Sequence, residues 1–381
     1  MSQTPATSRM PRPATAGGRV LNFSPGPATL PEPVLRQLRE DIWDLGGTGI
    51  GILEHSHRGA AFTRVIDEAE ASCRRLAGSA GAALGADWAV LFLQGGATQQ
   101  FAQVPMSFLA AGRTADYLDT GVWTHKAIEH ARSFGAIHTA FEGAVHGYDH
   151  TPSAQEIEAS EDPVYTWYCS NNTIAGTAYP SPPPCEALRI CDASSDLFSR
   201  PLITEGHAMI IAGSQKNLGP AGCTLVLARR DFLAGARDGL PPIFDYRKQD
   251  EKGSRLNTPP VFAIHVVGLV CRWIEAQGGL AAMAVRNEAK AAPVYDVLDH
   301  GDGWYRGHAR PHTRSAMNVT FRTPTPELDA RFVQEAASAG FAGLAGHRSV
   351  GGLRASMYNA FPAEGCRALA SFMRDFAARY G

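Results

Sequence analysis

The sequence predicts an α/β protein built on a mostly parallel sheet, with a smaller α+β domain at the C-terminus. Two observations carry this. From Trp88 onward, short apolar runs alternate with amphipathic stretches, the pattern of buried strands with helices on their faces. A long apolar helix then breaks at Gly278-Gly279, and the strands and helices that remain suit a smaller α+β unit.

In chain order, residues 1–18 are rich in Ser, Thr, Pro, Ala and Arg and lack periodicity, so a disordered extension is expected, with Met10 a second candidate start. Apolar runs place strands at Trp88–Leu93, Ala115–Leu118, Val164–Cys169, Leu188–Cys191, Ala208–Ala212 and Cys223–Ala228. Between them, Gln99–Leu109 sets Phe101, Val104 and Phe108 on one helical face, and a second helix covers His125–Ser133 after an aromatic turn at Trp123. The turn Asn257-Thr258-Pro259-Pro260 starts the long helix at Val261. Past the glycine pair come a strand at Met317–Phe321, a helix at Glu327–Ala339, a strand at Leu353–Tyr358 and a helix at Ala363–Arg379. No internal repeat of fixed period is visible.

At 381 residues and 44% hydrophobic, the chain is long enough for two domains or one large one. Its 35 basic and 37 acidic residues give a net charge of −2 with no basic face, so a small-molecule partner is expected rather than nucleic acid or membrane. Seven scattered cysteines with no C-x-x-C pair suggest neither zinc nor a redox motif, and no metal site is predicted. A reducing, cytoplasmic setting fits them, and no run of about 18 apolar residues or secretory signal is present to direct the chain elsewhere.

The strongest chemical signal is Lys216, in the run Gly213-Ser214-Gln215-Lys216-Asn217-Leu218-Gly219-Pro220-Ala221-Gly222 after an apolar strand. Small neighbours leave room for a ligand, and an ammonium in such a setting should lose affinity for its proton, which makes Lys216 a candidate Schiff-base amine. The competing reading is a loop lysine in solvent. Asp192 ends another apolar run, so in a parallel sheet both residues lie at strand carboxyl ends, where open α/β sheets bind ligands. A carboxylate there can pair with the ring nitrogen of pyridoxal phosphate (PLP), although an N-cap is the plainer role for Asp.

Other residues fit a bound phosphate and ring. Gly95-Gly96-Ala97-Thr98 follows a strand and opens a helix, where free N–H groups hold phosphate. Trp123 can stack on a ring and Thr173 can bond its hydroxyl, against roles as core residue and ordinary turn. His57-Arg58 and His347-Arg348 offer donors to an anion, and Arg354, in an apolar strand, needs an anionic partner.

These residues bring the chain from Asn22 to its end close to a known family. It resembles the phosphoserine aminotransferases, class V aminotransferases of PLP fold type I, through Asn22-Phe23-Ser24-Pro25-Gly26-Pro27-Ala28, Ser56-His57-Arg58-Gly59, Thr114-Ala115-Asp116-Tyr117, the Lys216 segment, Asn257-Thr258-Pro259-Pro260, and Gly346-His347-Arg348 through Arg354-Ala355-Ser356. The resemblance implies a seven-stranded sheet in a large domain over 31–277, a small domain over 278–381, and residues 19–30 packing on the small domain. It implies PLP bonded to Lys216, with Asp192 on the ring nitrogen, Trp123 on the ring face, Thr173 at its hydroxyl, and Ala97, Thr98 and Gln215 at the phosphate. Asn257 and Thr258 would reach the partner subunit's cofactor, so a homodimer is implied. His57, Arg58, His347 and Arg348 would bind the distal anion and Arg354 the α-carboxylate of substrates that include L-glutamate, 3-phosphohydroxypyruvate and O-phospho-L-serine, with 4-phosphohydroxy-L-threonine a second candidate.

One departure is Thr98, where some members carry arginine, which shifts distal-anion binding to the other basic residues. The rivals are other class V enzymes, such as alanine–glyoxylate aminotransferases or cysteine desulfurases, and a PLP-free nucleotide-binding α/β protein. A desulfurase needs a cysteine on a mobile loop, whereas Cys366 sits in a helical pattern. The nucleotide reading lacks the full G-x-G-x-x-G fingerprint.

Overall fold

The computed structural model describes residues 18–79 and 81–381, so the expected N-terminal extension and Met10 lie outside the described residues, apart from Gly18. Seven strands make the central sheet: β1 (Trp88–Gln94), β2 (Thr114–Asp119), β3 (Ala136–Glu142), β4 (Thr166–Cys169), β5 (Arg189–Asp192), β6 (His207–Gly213) and β7 (Cys223–Arg229). Their spatial order is β1-β7-β6-β5-β4-β2-β3. Only β7 runs against its neighbours, pairing antiparallel with β1 and β6, and the other four pairings are parallel.

Strand alternation sorts the side chains into two cores. Val90 and Phe92 of β1, Ile210 and Ala212 of β6, and Leu225 and Leu227 of β7 meet helices Ala60–Ala77 and Val261–Ala276 on one face. Leu91 and Leu93, Met209 and Ile211, and Val226 and Ala228 meet helices Gln100–Phe108 and Val122–Ala131 on the other. Burial on both faces is why β6 reads as an unbroken apolar run.

A third core gathers Phe23, Val294, Phe321, Phe332, Leu353 and Met373 beneath a three-stranded sheet of Arg306–Gly307, Asn318–Arg322 and Leu353–Ser356. The short strand Leu21–Asn22 joins this region by pairing in parallel with Phe341–Ala342. Helix Gly279–His300 crosses between the cores, with Leu280 and Met283 in the first and Val294 and Val297 in the third. No single helix among the described residues is long and apolar enough to cross a membrane.

Three expectations need correction. The second helix runs Val122–Ala131, not His125–Ser133, so Trp123 sits in its first turn rather than in a turn before it. The sequence reading has no strand at β3, an edge strand whose first four residues are only half-buried or exposed and so show no apolar run. It also has no helix at Gly279–His300, which carries Pro293 in its interior.

Candidate active site

The site forms along the edge where the parallel strands end, because each strand's carboxyl end delivers a loop there. Gly213 closes β6 and leads to Lys216, which is 9% exposed. Its Nζ donates to Thr173 Oγ1 at 2.7 Å, and Thr173 comes from the loop beyond β4. Burial lowers the affinity of Nζ for its proton, an effect that Asp192 opposes. Asp192, 5% exposed at the end of β5, accepts the Ser194 N–H on Oδ1 at 2.9 Å, which fixes the carboxylate.

A glycine is required over this lysine. Gly26 has φ +140°, and a Cβ there would lie 3.4 Å from Lys216 Cγ. The Ala28 N–H donates to the Gln215 carbonyl at 2.9 Å, so the N-terminal segment lies directly on the lysine loop.

Trp123 is half-buried, with Lys216 Nζ 5.9 Å and Lys126 Nζ 5.1 Å from its ring. Its Nε1 has no partner among the described residues. On the β1 side, the Gly95 N–H donates to the Gly222 carbonyl at 3.0 Å, tying the glycine turn to the end of the lysine loop. Ala97 is buried and Thr98 exposed on the 3₁₀ turn that follows, and Gly96 faces open space.

Arg354 is 6% exposed on Leu353–Ser356. Its Nη1 reaches the Thr173 carbonyl at 3.4 Å, its Nε has no partner among the described residues, and burial pushes its pKa down. Half-buried His347 binds protons less readily because of burial and then because of Arg354, Arg348 and Lys126, so these four residues form one basic group. Lys216, Thr173, Asp192, Trp123 and Arg354 thus converge.

The structure does not bring every expected residue to this cluster. His57 and Arg58 make no hydrogen bond or ion pair with it, and His57 Nε2 has no partner among the described residues. Half-buried Asn257 donates to Gln94 Oε1 of its own chain at 2.9 Å, and Thr258 is exposed beside it.

Against known proteins, residues 20–369 match the family model for aminotransferase class-V. The phosphoserine aminotransferase of Herpetosiphon aurantiacus is 46% identical over 95% of this chain and 99% of its own. Among solved structures, the phosphoserine aminotransferase from Bacillus circulans subsp. alkalophilus superposes with a TM-score of 0.92 at 42% identity, covering 95% of this chain and 99% of that one. PLP-bound phosphoserine aminotransferase from Trichomonas vaginalis gives 0.86 at 34% identity, covering 93% and 100%. The chain belongs to the class-V aminotransferases.

In this class-V aminotransferase, several groups near the lysine went unnoticed in the sequence. Lys126 lies one helical turn beyond Trp123, a spacing that becomes visible only once the helix start is moved to Val122. Behind Asp192, buried Asp196 accepts the Ser170 hydroxyl and pairs with Arg200 at 3.5 Å, while burial raises its pKa. The chemistry of the set matches PLP: a buried amine held by a hydroxyl, a fixed carboxylate, a half-open indole face and a glycine turn before a helix.

Proposed function

We propose that this enzyme interconverts 3-phosphohydroxypyruvate and L-glutamate with O-phospho-L-serine and 2-oxoglutarate, using PLP bonded to Lys216. The observation that carries the reading is the end-to-end likeness to phosphoserine aminotransferases, 46% identical over 95% of the chain. The same site accepts 4-phosphohydroxy-L-threonine, which shares the phosphate, carboxylate and amine.

Asp192 takes the ring nitrogen, Trp123 the ring face and Thr173 the ring hydroxyl, while Ala97, Thr98 and Gln215 take the phosphate. When bound, PLP supplies an electron sink for charge that develops at the substrate Cα. Lys216 does the rest of the chemistry at one atom. With its proton affinity lowered by burial, Nζ would hold PLP and, once the substrate amine has replaced it there, would be free as a neutral amine to take the proton that leaves Cα. Arg354 orients the α-carboxylate, and His57, Arg58, His347 and Arg348 hold the distal phosphate or carboxylate.

A homodimer completes the site, with Asn257 and Thr258 directed to the neighbour's cofactor phosphate. Supporting this, Ile42, Trp43, Ile50 and Leu53 all expose apolar surface in one segment, Trp43 at 86%, just before His57 and Arg58. All seven cysteines are unpaired, in keeping with a reducing cytoplasmic location.

The test is a visible spectrum of the purified protein before and after borohydride, then mapping of the labelled peptide. A visible band abolished by borohydride, with label on Lys216, and turnover of phosphoserine far above that of serine are expected. Absence of the band, or label on another lysine, would refute the assignment of Lys216, and equal turnover of serine and phosphoserine would refute the substrate.

A further inference from the structure

Away from the lysine, the chain leaving β3 folds into a loop whose polar groups the transamination reading does not use. The buried Phe141 ring lies nearly parallel to His146, with centroids 6.1 Å apart at 12°, and edge-on to His150 at 5.6 Å. The two imidazoles stand 5.0 Å apart. Glu156 closes the group, and the donor atoms of His146, His150 and Glu156 all lie within 4.8 Å of one another.

Two of the three are held in place from behind. His150, 2% exposed, sets Nδ1 2.6 Å from Asp149 Oδ1 and Nε2 3.0 Å from Glu156 Oε1. Asp149 is anchored in turn by Arg310 Nε at 3.0 Å. Glu156 Oε2 accepts the Ser153 N–H at 2.8 Å and its hydroxyl at 2.7 Å, leaving Oε1 facing His150.

We propose that His146, His150 and Glu156 form a binding site for a divalent transition-metal ion of the zinc class. An N₂O set of two imidazoles and one carboxylate suits Zn²⁺ and its neighbours rather than Ca²⁺ or Mg²⁺. A metal-bound histidine usually directs its second ring nitrogen to a carboxylate, and Asp149 already occupies that position on His150. An ion pair between His150 and Glu156 needs no second imidazole. Yet His146, with no hydrogen-bond partner among the described residues, is held by ring contacts within reach of both. His146 and Glu156 are exposed, which leaves a coordination position open to water.

The ion would be structural, since none of its ligands contacts Lys216. It would clip a loop that other contacts already tie down at both ends. Tyr148 donates to Asp119 Oδ2 at the end of β2, while His308 Nε2 meets the Gly147 carbonyl and the Arg310 N–H donates to the Asp149 carbonyl. Metal binding should therefore raise the unfolding temperature of the PLP-loaded enzyme.

The experiment uses PLP-loaded enzyme stripped with EDTA and titrated with Co²⁺, then with Zn²⁺. One equivalent per chain is expected, with a visible d–d band that Zn²⁺ displaces. His146→Gln and Glu156→Gln should each weaken Zn²⁺ at least about 10-fold, and Asp149→Asn by about 10–100-fold although it leaves every ligand in place. Unchanged circular dichroism and PLP absorbance show that each variant folds. No saturable binding in the parent enzyme, or equal Zn²⁺ affinity in the parent and both ligand variants, overturns the proposal.

Discussion

Replacing Arg354 by methionine separates its work in binding from its work in folding. Among the described residues, the buried guanidinium forms no salt bridge, leaves Nε unpartnered and makes one long bond, 3.4 Å, to the Thr173 carbonyl. In the free enzyme such a cation is poorly compensated, so an apolar side chain of similar length should leave stability within about 1 kcal/mol of the parent or raise it. With substrate present, a guanidinium fork on the α-carboxylate makes two charge-assisted bonds of about 1.5–3 kcal/mol each. Losing both costs about 3–6 kcal/mol, a fall in kcat/KM of roughly 10²–10⁴-fold. Phosphoserine and glutamate should suffer alike, because both carry an α-carboxylate. Steady-state kinetics with each donor and urea denaturation of both proteins supply the measurements. If only one donor loses rate, or if the variant loses more than about 2 kcal/mol of stability, the assigned role is wrong.

Arg58→Ala tests the opposite end of the substrate: KM for phosphoserine and glutamate should both rise by about 10–150-fold, the equivalent of about 1.5–3 kcal/mol, while serine, which has no distal anion, stays a poor donor with unchanged kinetics. Unaltered KM for both acidic donors would remove Arg58 from the site. Lys290 is fully buried, donates to Asn287 Oδ1 at 2.8 Å and the Tyr358 carbonyl at 2.6 Å, and has its pKa lowered by burial to about 7 from an ordinary 10.5. Between those values the unfolded chain holds a proton that the folded chain has released, so stability rises with pH there. The parent's advantage over Lys290→Met should grow by on the order of 1 kcal/mol per pH unit above about pH 7.5, read from urea midpoints. A pH-independent difference would show that the amine is not titrating in the folded protein.

The parts that were legible in the sequence share one physical cause. Strands β1, β6 and β7 are buried on both faces along most of their length, so their interiors are largely apolar, and the loops at their ends stand out by contrast. Lys216 was visible because a charge among small residues is conspicuous, and Asp192 because it ends an apolar run. Strand β3 was hidden by its edge position, which lets His138 and Thr139 face partly outward. The helix start before Trp123 is hard to read because Gly121 caps it without a side-chain hydrogen bond and no acidic residue marks the first turn. Long-range partners were invisible altogether: nothing local links Gly26 to Lys216, Asp196 to Ser170, or Arg354 to the Thr173 carbonyl.

The charge arrangement argues for a substrate that is anionic at both ends. Among the described residues, Lys126, Lys216, Arg348 and Arg354 form no salt bridge. In a chain whose net charge is −2, cations at the site are thus left without carboxylate partners, while nearby acids are occupied. Asp196 is engaged by Ser170 and Arg200, and Asp119 by His125 and Tyr148. Unpaired cations that face one another repel, and burial first, then Arg354, Arg348 and Lys126, lower the proton affinity of His347 among them. That repulsion is relieved only when anions enter. An α-carboxylate alone would satisfy Arg354 and leave the others facing each other, so alanine gains little. A second anion at the far end, the γ-carboxylate of glutamate or the more highly charged phosphate of phosphoserine, relieves the rest, and the phosphate does so most fully.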